Sequence, residues 1–195
     1  RNLKIIKFLK SIISNNKKKI YDSNFINHSF LPNWRKNVSY QNSASAKKKY
    51  GGGVILDCSH EIDLASWMIG KIDILSAQST KKSYLKIETE DNCKILGKHK
   101  KIDISIDLNY YSIHKKRQIC LLGNNFKIIV DLVSFKISIL KRGKKIIKKF
   151  KNDIEDSYFL ELKDLFNKGQ KNLTSYKSAL RTQKIIQDIQ DFKNI

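Results

Sequence analysis

The segment YGGGVILDCSHEIDLASWMIG, residues 50–70, holds no lysine, in a chain of 195 residues that contains 39 Lys plus Arg. No other stretch of the chain between two lysines is as long. Three glycines open the segment and Gly70 closes it, and glycine is common directly after the last residue of a helix. The segment therefore predicts a helix that keeps lysine off all of its faces.

At 100° per residue, small and apolar side chains of this helix share one face, which is typical of a helix packed on a sheet. They are Val54, Cys58, Ile62, Ala65 and Ile69. The opposite face carries His60, Asp63 and Trp67, with Leu56 beside them and Asp57 at its edge. A solvated helix of this chain would carry lysine there, so we expect that face to line a cleft or another domain.

Two interpretations of His60 remain open on the residues alone. A histidine with aspartates three residues before and after it is either a satisfied structural pair or part of a functional site. Metal binding is not expected, because Cys58 and His60 have no second ligand pair at zinc spacing and HEIDL differs from HExxH.

The rest of the chain predicts an α+β fold, a mainly antiparallel open sheet with helices on one face. Residues 2–14 have helical periodicity, residues 19–30 alternate like a strand, and residues 31–49 form a long loop. Six β-branched segments follow and predict strands. They are 72–80, 100–112, 117–123, 126–133, 135–140 and 144–150.

Turns and closing helices complete the pattern. GNN at 123–125 and KRGK at 141–144 are typical hairpin turns. Residues 153–169 place Tyr158, Leu162, Leu165 and Phe166 on one stripe, and residues 173–192 do the same with Leu180, Ile185, Ile186 and Ile189. Both segments are therefore predicted to be helices.

The net charge of +21 does not by itself indicate a nucleic-acid partner. The excess is lysine in scattered twos and threes, whereas arginine is the favoured base reader. A composition rich in Lys, Ile and Asn reflects A/T-rich codons. No apolar run approaches the length of a membrane span, and three dispersed cysteines indicate a reducing, cytoplasmic setting. We therefore expect no nucleic acid and no membrane as partners.

The quoted helix resembles the hallmark segment of the glucose–fructose oxidoreductase/inositol dehydrogenase (Gfo/Idh/MocA) family, three glycines followed by an Asp and then H-x-x-D. The similarity continues through LPNWRKN at 31–37, through residues 88–132 and through the closing helices. It implies that residues 1–195 are a C-terminal substrate-binding and oligomerisation domain. The glycine-rich nucleotide-binding domain and the E-K-P segment of the family are absent from this chain.

By this resemblance, specific residues acquire expected roles. His60 matches the catalytic histidine, Asp57 its preceding acidic partner, and Asp63 the acidic residue that holds the histidine ring. Trp34 and Arg35 match a pair that contacts the cofactor in some members. Many members space the first Asp and the His by four residues, whereas the spacing here is three.

The resemblance implies an NAD(P)-dependent oxidoreductase that acts on the hydroxyl or carbonyl group of a sugar, cyclitol or nucleotide sugar. NAD or NADP would be bound mainly by an N-terminal Rossmann domain, and the sheet would support a homo-oligomer. The sheet region is similar especially to that of branches that act on nucleotide sugars or surface-polysaccharide precursors. A non-catalytic relative that serves as an oligomerisation module is the main alternative, and a basic nucleic-acid-binding domain is a weaker one.

Overall fold

One eight-stranded sheet organises the chain in the computed structural model, which describes residues 1–166 and 174–192. The strands are β1 (Ile20–Phe30), β2 (Asp73–Thr80), β3 (Asn92–His99), β4 (Ile102–Asn109), β5 (Tyr111–Gly123), β6 (Phe126–Asp131), β7 (Lys136–Lys141) and β8 (Lys144–Lys149). Their order is β2-β3-β4-β1-β5-β6-β7-β8. Of these neighbouring pairs, β1 and β4 run parallel and the others antiparallel. The predicted α+β class is confirmed.

Five α-helices accompany the sheet in the described part of the chain. They are α1 (Lys4–Asn16), α2 (Val54–Asp57), α3 (Ser59–Ile69), α4 (Ile154–Phe166) and α5 (Tyr176–Asp191). The predicted packing face of the lysine-free segment is confirmed, because Val54, Cys58, Ile62, Ala65 and Ile69 are all buried. The segment is two helices and not one, since the backbone leaves helical geometry at Cys58, with φ −100° and ψ 17°.

The central strand β1 lies beneath α3 and alternates as predicted. Ser23, Phe25, Asn27 and Ser29 are buried under the helices. The last two of these residues, Asn27 and Ser29, are both polar, so the C-terminal end of the buried face of β1 is polar. This polar end of the strand is where the candidate site forms.

Strand β3 was not predicted. Its sequence, NCKILGKH, mixes lysines with a central glycine, and both weaken a strand signal. Gly97 is required by close packing, because a Cβ there would lie 2.8 Å from Ile72 Cγ2 and 2.9 Å from the Asp73 carbonyl oxygen. The hairpin turns predicted at 123–125 and 141–144 are confirmed.

Helix α4 departs from the expected packing of helices on the sheet. None of its side chains is buried, and the stripe of Tyr158, Leu162, Leu165 and Phe166 is exposed. The end of the predicted helix at 167–169 and the start of the next at 173 lie outside the described residues. Helix α5, in contrast, buries Ile185, Ile186 and Ile189. Among the described residues, no helix combines the length and apolar content needed to cross a bilayer.

Candidate active site

His60 opens into a cleft at the start of α3. Its side chain is 49% exposed, and the cleft has a volume of about 490 Å³. The walls come from the polar end of β1, the loop that follows it, and β5. The residues that line the cleft are Asn27, Ser29, Phe30, Asn33, Trp34, Arg35, Cys58, His60, Ile113, Lys115 and Arg117. The cleft therefore brings together His60, Trp34 and Arg35, three of the residues that the sequence singled out.

A buried carboxylate holds the inner edge of the His60 ring. Glu61, 1% exposed, has its Oε1 3.3 Å from His60 Nε2. The same oxygen accepts hydrogen bonds from Arg117 Nε at 2.5 Å and from Asn27 Nδ2 at 3.3 Å. Asn27 Nδ2 also lies 3.3 Å from His60 Nε2. Three side chains from α3, β1 and β5 thus converge on one oxygen of Glu61.

Glu61 is ionised at neutral pH despite its burial. Burial alone would raise the pKa of this carboxyl, but the hydrogen bond from His60 and the charge of Arg117 outweigh it and hold the pKa below its usual value. An ionised carboxylate only accepts hydrogen bonds. Each group that meets Glu61 Oε1 must therefore present a donor to it.

Asp63 does not hold the histidine, contrary to the expectation from sequence. Its two oxygens form an ion pair with the guanidinium of Arg1, and Oδ1 also accepts a hydrogen bond from Thr182 Oγ1 at 3.1 Å. Helices α1 and α5 pack on this part of α3. Arg1, which precedes α1, supplies the cation, and Thr182 of α5 supplies the hydroxyl. The neighbouring Trp67 ring lies under Arg1 and Lys10.

Asp57 also forms its hydrogen bond with a residue other than His60. Tyr110, fully buried, donates its hydroxyl hydrogen to Asp57 Oδ2 at 2.5 Å. Burial and this hydrogen bond both raise the pKa of Tyr110, so its phenol stays protonated. The Tyr110 ring meets Trp34 edge-on, with 5.2 Å between ring centroids. Asp57 is thus connected to the cleft wall through Tyr110, and neither aspartate contacts the ring of His60.

Trp34 forms a wall of the cleft. Its indole Nε1 donates to Ser29 Oγ at 3.1 Å, which fixes the ring against β1. The side chain remains 40% exposed. An aromatic ring that is fixed on one side and open on the other can stack on a planar ligand.

The cleft is electropositive. Arg35, Lys115 and Arg117 lie among its lining residues, and no carboxylate does within the described part of the chain. Arg117 is partly neutralised by Glu61. The other two cations have no acidic partner in that lining, so the cleft favours an anionic ligand.

The glycines at 51–53 do not form a phosphate cradle. A Cβ on Gly52 would lie 2.2 Å from the Ala44 carbonyl oxygen, and one on Gly53 would lie 2.4 Å from Glu90 Oε1. These glycines permit close packing of the chain on itself.

Sequence reasoning missed Glu61, Asn27 and Arg117. A signal was present for Glu61, because it lies about 20° from Val54 on the helical wheel, within the apolar face. A carboxylate on a buried face requires a partner. Nothing in the spacing of the sequence identified Arg117 or Asn27 as that partner, since both come from other strands.

The fold and this site define an α+β domain with a histidine-containing cleft at the polar end of its central strand. The model of the family described as GFO/IDH/MocA C-terminal domain matches residues 22–131 of the chain. The chain belongs to this family. The matched range includes α3, all but the first two residues of β1, and every residue that lines the cleft.

Solved structures show the same fold. An oxidoreductase from Agrobacterium radiobacter in complex with NAD+, L-tartaric acid and magnesium aligns with a TM-score of 0.75 and 16% identity, over 96% of this chain and 59% of that one. The WlbA dehydrogenase from Bordetella pertussis, in complex with NADH and UDP-GlcNAcA, aligns with a TM-score of 0.72 and 16% identity, over 97% of this chain and 57% of that one. A 3-ketoreductase from Actinomadura kijaniata, in complex with TDP-benzene and NADP, aligns with a TM-score of 0.72 and 9% identity, over 97% of this chain and 58% of that one.

The chain spans less than two thirds of the length of each of these structures. At such identities the likeness establishes the fold. A search of curated protein sequences found no match to the chain.

Proposed function

We propose that residues 1–195 form the C-terminal, substrate-binding part of an NAD(P)-dependent oxidoreductase that acts on the hydroxyl or carbonyl group of a sugar, cyclitol or nucleotide sugar. The observation that carries the proposal is His60, half exposed in a cleft that also contains Trp34 and Arg35. Membership of the family supports the reaction class.

In this proposal His60 handles the proton of the reacting group. A nicotinamide cofactor, when bound, supplies the acceptor or donor of the hydride. In the direction of alcohol oxidation, the carbon gives up its hydrogen with the bonding pair, and the C=O double bond forms. The O–H bond breaks at the same time and its proton goes to the neutral imidazole of His60, which a histidine can accept near neutral pH. In reduction the imidazolium returns the proton to the oxygen.

The charge of the cleft favours an anionic substrate within the proposed class. Arg35 and Lys115 would meet phosphate or carboxylate oxygens, and Arg117 could contribute an N–H that Glu61 does not use. A nucleotide sugar carries such groups, whereas a free cyclitol does not. The best substrates should therefore be nucleotide sugars.

Turnover by the full-length protein tests the reaction and the substrate class together. The protein is assayed with NAD+ or NADP+ against nucleotide sugars, uronic acids, neutral sugars and cyclitols, with NAD(P)H absorbance as the readout. Reduction of the cofactor with a nucleotide sugar supports the proposal. Reduction with neutral substrates only would refute the anionic class, and no reduction with any of them would favour the non-catalytic alternative.

Most of the cofactor should be held outside this chain, by an N-terminal Rossmann domain. The support is that Gly52 and Gly53 pack on the chain itself and that Trp34 and Arg35 offer contacts for one end only. The 195-residue chain should therefore show no saturable micromolar binding when it is titrated with NADH and followed by nucleotide fluorescence. Saturation of the isolated chain would place the nucleotide site within it.

Helix α4 offers a surface for that domain. Its apolar side chains are exposed, including Tyr158, Phe159, Leu162 and Phe166. An exposed apolar stripe of this size indicates an interaction surface. We propose that the nucleotide-binding domain of the intact protein covers it.

The face of the sheet away from the helices should support a homo-oligomer. One row of paired residues crosses seven strands on this face, and it mixes apolar with small polar side chains. The row consists of Leu96, Ser105, Asn24, Cys120, Ile129, Ser138 and Ile147. Light scattering at physiological ionic strength should show a dimer or tetramer. A stable monomer at high concentration would contradict this expectation.

A further inference from the structure

We propose that Glu61 positions His60 by fixing its proton on Nε2, which leaves Nδ1 as the atom that faces the reacting group. Only the identity of that reacting group rests on the proposed function. The arrangement of the ring and its proton is a property of this chain alone and can be measured without substrate or cofactor.

The contacts at Glu61 Oε1 determine which ring nitrogen of His60 carries the proton. This oxygen receives Arg117 Nε at 2.5 Å, Asn27 Nδ2 at 3.3 Å and His60 Nε2 at 3.3 Å. Arg117 holds the carboxylate from β5, and Asn27 holds it from β1. Because Glu61 is almost fully buried, its carboxylate depends on these side chains in place of water for its hydrogen bonds.

Two tautomers of a neutral His60 can be compared. With the proton on Nε2, the ring faces the ionised Glu61 oxygen at 3.3 Å, to which Asn27 also donates, and the contact between Asn27 Nδ2 and His60 Nε2 is then not a hydrogen bond. With the proton on Nδ1, the Nε2 lone pair faces the carboxylate oxygen, and its only favourable contact is the amide of Asn27 at 3.3 Å. A hydrogen bond to a charged acceptor is stronger than one between neutral groups. The Nε2–H tautomer is therefore favoured.

The other ring nitrogen is free to react. Within residues 1–166 and 174–192, no side chain or backbone group forms a hydrogen bond with His60 Nδ1, and the ring is half exposed to the cleft. In the Nε2–H tautomer, Nδ1 carries a lone pair. A substrate proton would arrive there, and the imidazolium would keep its Nε2–H on Glu61. Glu61 is thus a positioning residue and takes no proton itself.

Proton–nitrogen NMR of the histidine-labelled 195-residue chain tests this assignment. The chain has four histidines, so His60 can be assigned by its loss in His60→Gln. Spectra are recorded at about pH 8.5, where an ordinary imidazole with a pKa of about 6.5 is neutral. The expected spectrum shows the Nε2–H tautomer for His60. A dominant Nδ1–H tautomer in the wild-type chain would overturn the proposal without any variant.

Glu61→Gln should lower the ratio of Nε2–H to Nδ1–H at least about fivefold, because the charged acceptor is lost. Glu88→Gln is the matched control, since Glu88 is an exposed carboxylate paired with Lys47. It should leave the ratio unchanged. An unchanged ratio in a folded Glu61→Gln chain would overturn the positioning role. If the tautomer is as expected but His60→Gln retains full turnover, the proposed function fails and the positioning of the ring stands.

Discussion

Glu61 and Asp63 lie two residues apart on α3 and serve different parts of the molecule. Glu61 faces β1 and β5, is almost fully buried and meets His60 and Arg117. Asp63 faces α1 and α5, has a side chain 22% exposed and meets Arg1 and Thr182. The sequence assigned the histidine to Asp63, which is one helical turn away from it. The partners supplied by other elements decide which carboxylate acts on His60, and helical spacing alone does not.

The two carboxylates are therefore suited to different roles. A carboxylate that is excluded from water and held by an arginine keeps its charge and its direction, which makes it suited to orient a catalytic group. A carboxylate that ties helices together contributes to stability instead. Variants at the two positions and at their partners should therefore separate an effect on activity from an effect on folding.

The largest effect is expected for substitution of His60, the histidine that Glu61 contacts. His60→Gln in the full-length protein should lower kcat by about 10²–10⁴, the usual contribution of general acid–base catalysis. Cofactor affinity should be nearly unchanged. Steady-state turnover and NADH binding check both statements. His114→Gln is the matched control, because His114 is exposed on β5 outside the cleft lining. Equal turnover of the two folded variants would make His60 a structural residue.

Loss of Arg117, which forms an ion pair with Glu61, should have the next largest effect. Arg117→Met leaves a buried carboxylate without its cation, which costs about 3–5 kcal/mol for a fully buried pair. Arg117 is 29% exposed, so water relieves part of this and we expect a loss of about 2 kcal/mol. Chemical denaturation measures it. Arg142→Met, at the exposed β7–β8 turn, should change the free energy of unfolding by less than about 0.5 kcal/mol.

The pH dependence of stability should identify Glu61 by its charge. Its pKa is lowered in the folded chain, so its contribution is present above the unfolded value of about 4.3 and is lost as the pH falls through the lower folded value. The stability difference between wild type and Glu61→Gln should therefore shrink as the pH falls below about 4. Other carboxylates titrate in both chains and cancel. A difference that stays constant down to that range would mean that the charge of Glu61 does not contribute.

Asp63→Asn should have the smallest effect, and one confined to stability. It removes the ion pair with Arg1 and keeps the Thr182 contact, for a loss of about 1 kcal/mol or less. Turnover of the full-length variant should change less than about twofold, because Asp63 does not contact His60. A fall in kcat as large as that of His60→Gln would show that Asp63 acts on His60, as the resemblance to the family predicted.

Much of the fold followed from local patterns in the sequence. The buried face of α3, the alternation of β1 and the two hairpin turns depend on residues close together in the chain, and each was predicted. Strand β3 was missed because lysine and glycine masked its alternation. The exposure of α4 was missed because an apolar stripe predicts burial without saying whether this chain supplies the partner.

The candidate site was predicted only as far as single residues. His60, Trp34 and Arg35 were identified, and the structure places them around one cleft. The cluster around Glu61 was missed because Asn27 and Arg117 lie 34 and 56 residues away from it along the chain. Contacts between elements so distant in sequence depend on the register of β1 with β5, which residue spacing does not reveal.

The most direct test is a structure of the full-length protein with NAD(P)+ and a bound substrate. We expect the reacting oxygen to lie about 2.6–3.2 Å from His60 Nδ1, within hydrogen-bond reach. Nε2 should remain on Glu61, and Trp34 and Arg35 should lie beside the ligands. A reacting oxygen outside this cleft, or a ring that is turned so that Nε2 meets the substrate, would contradict it.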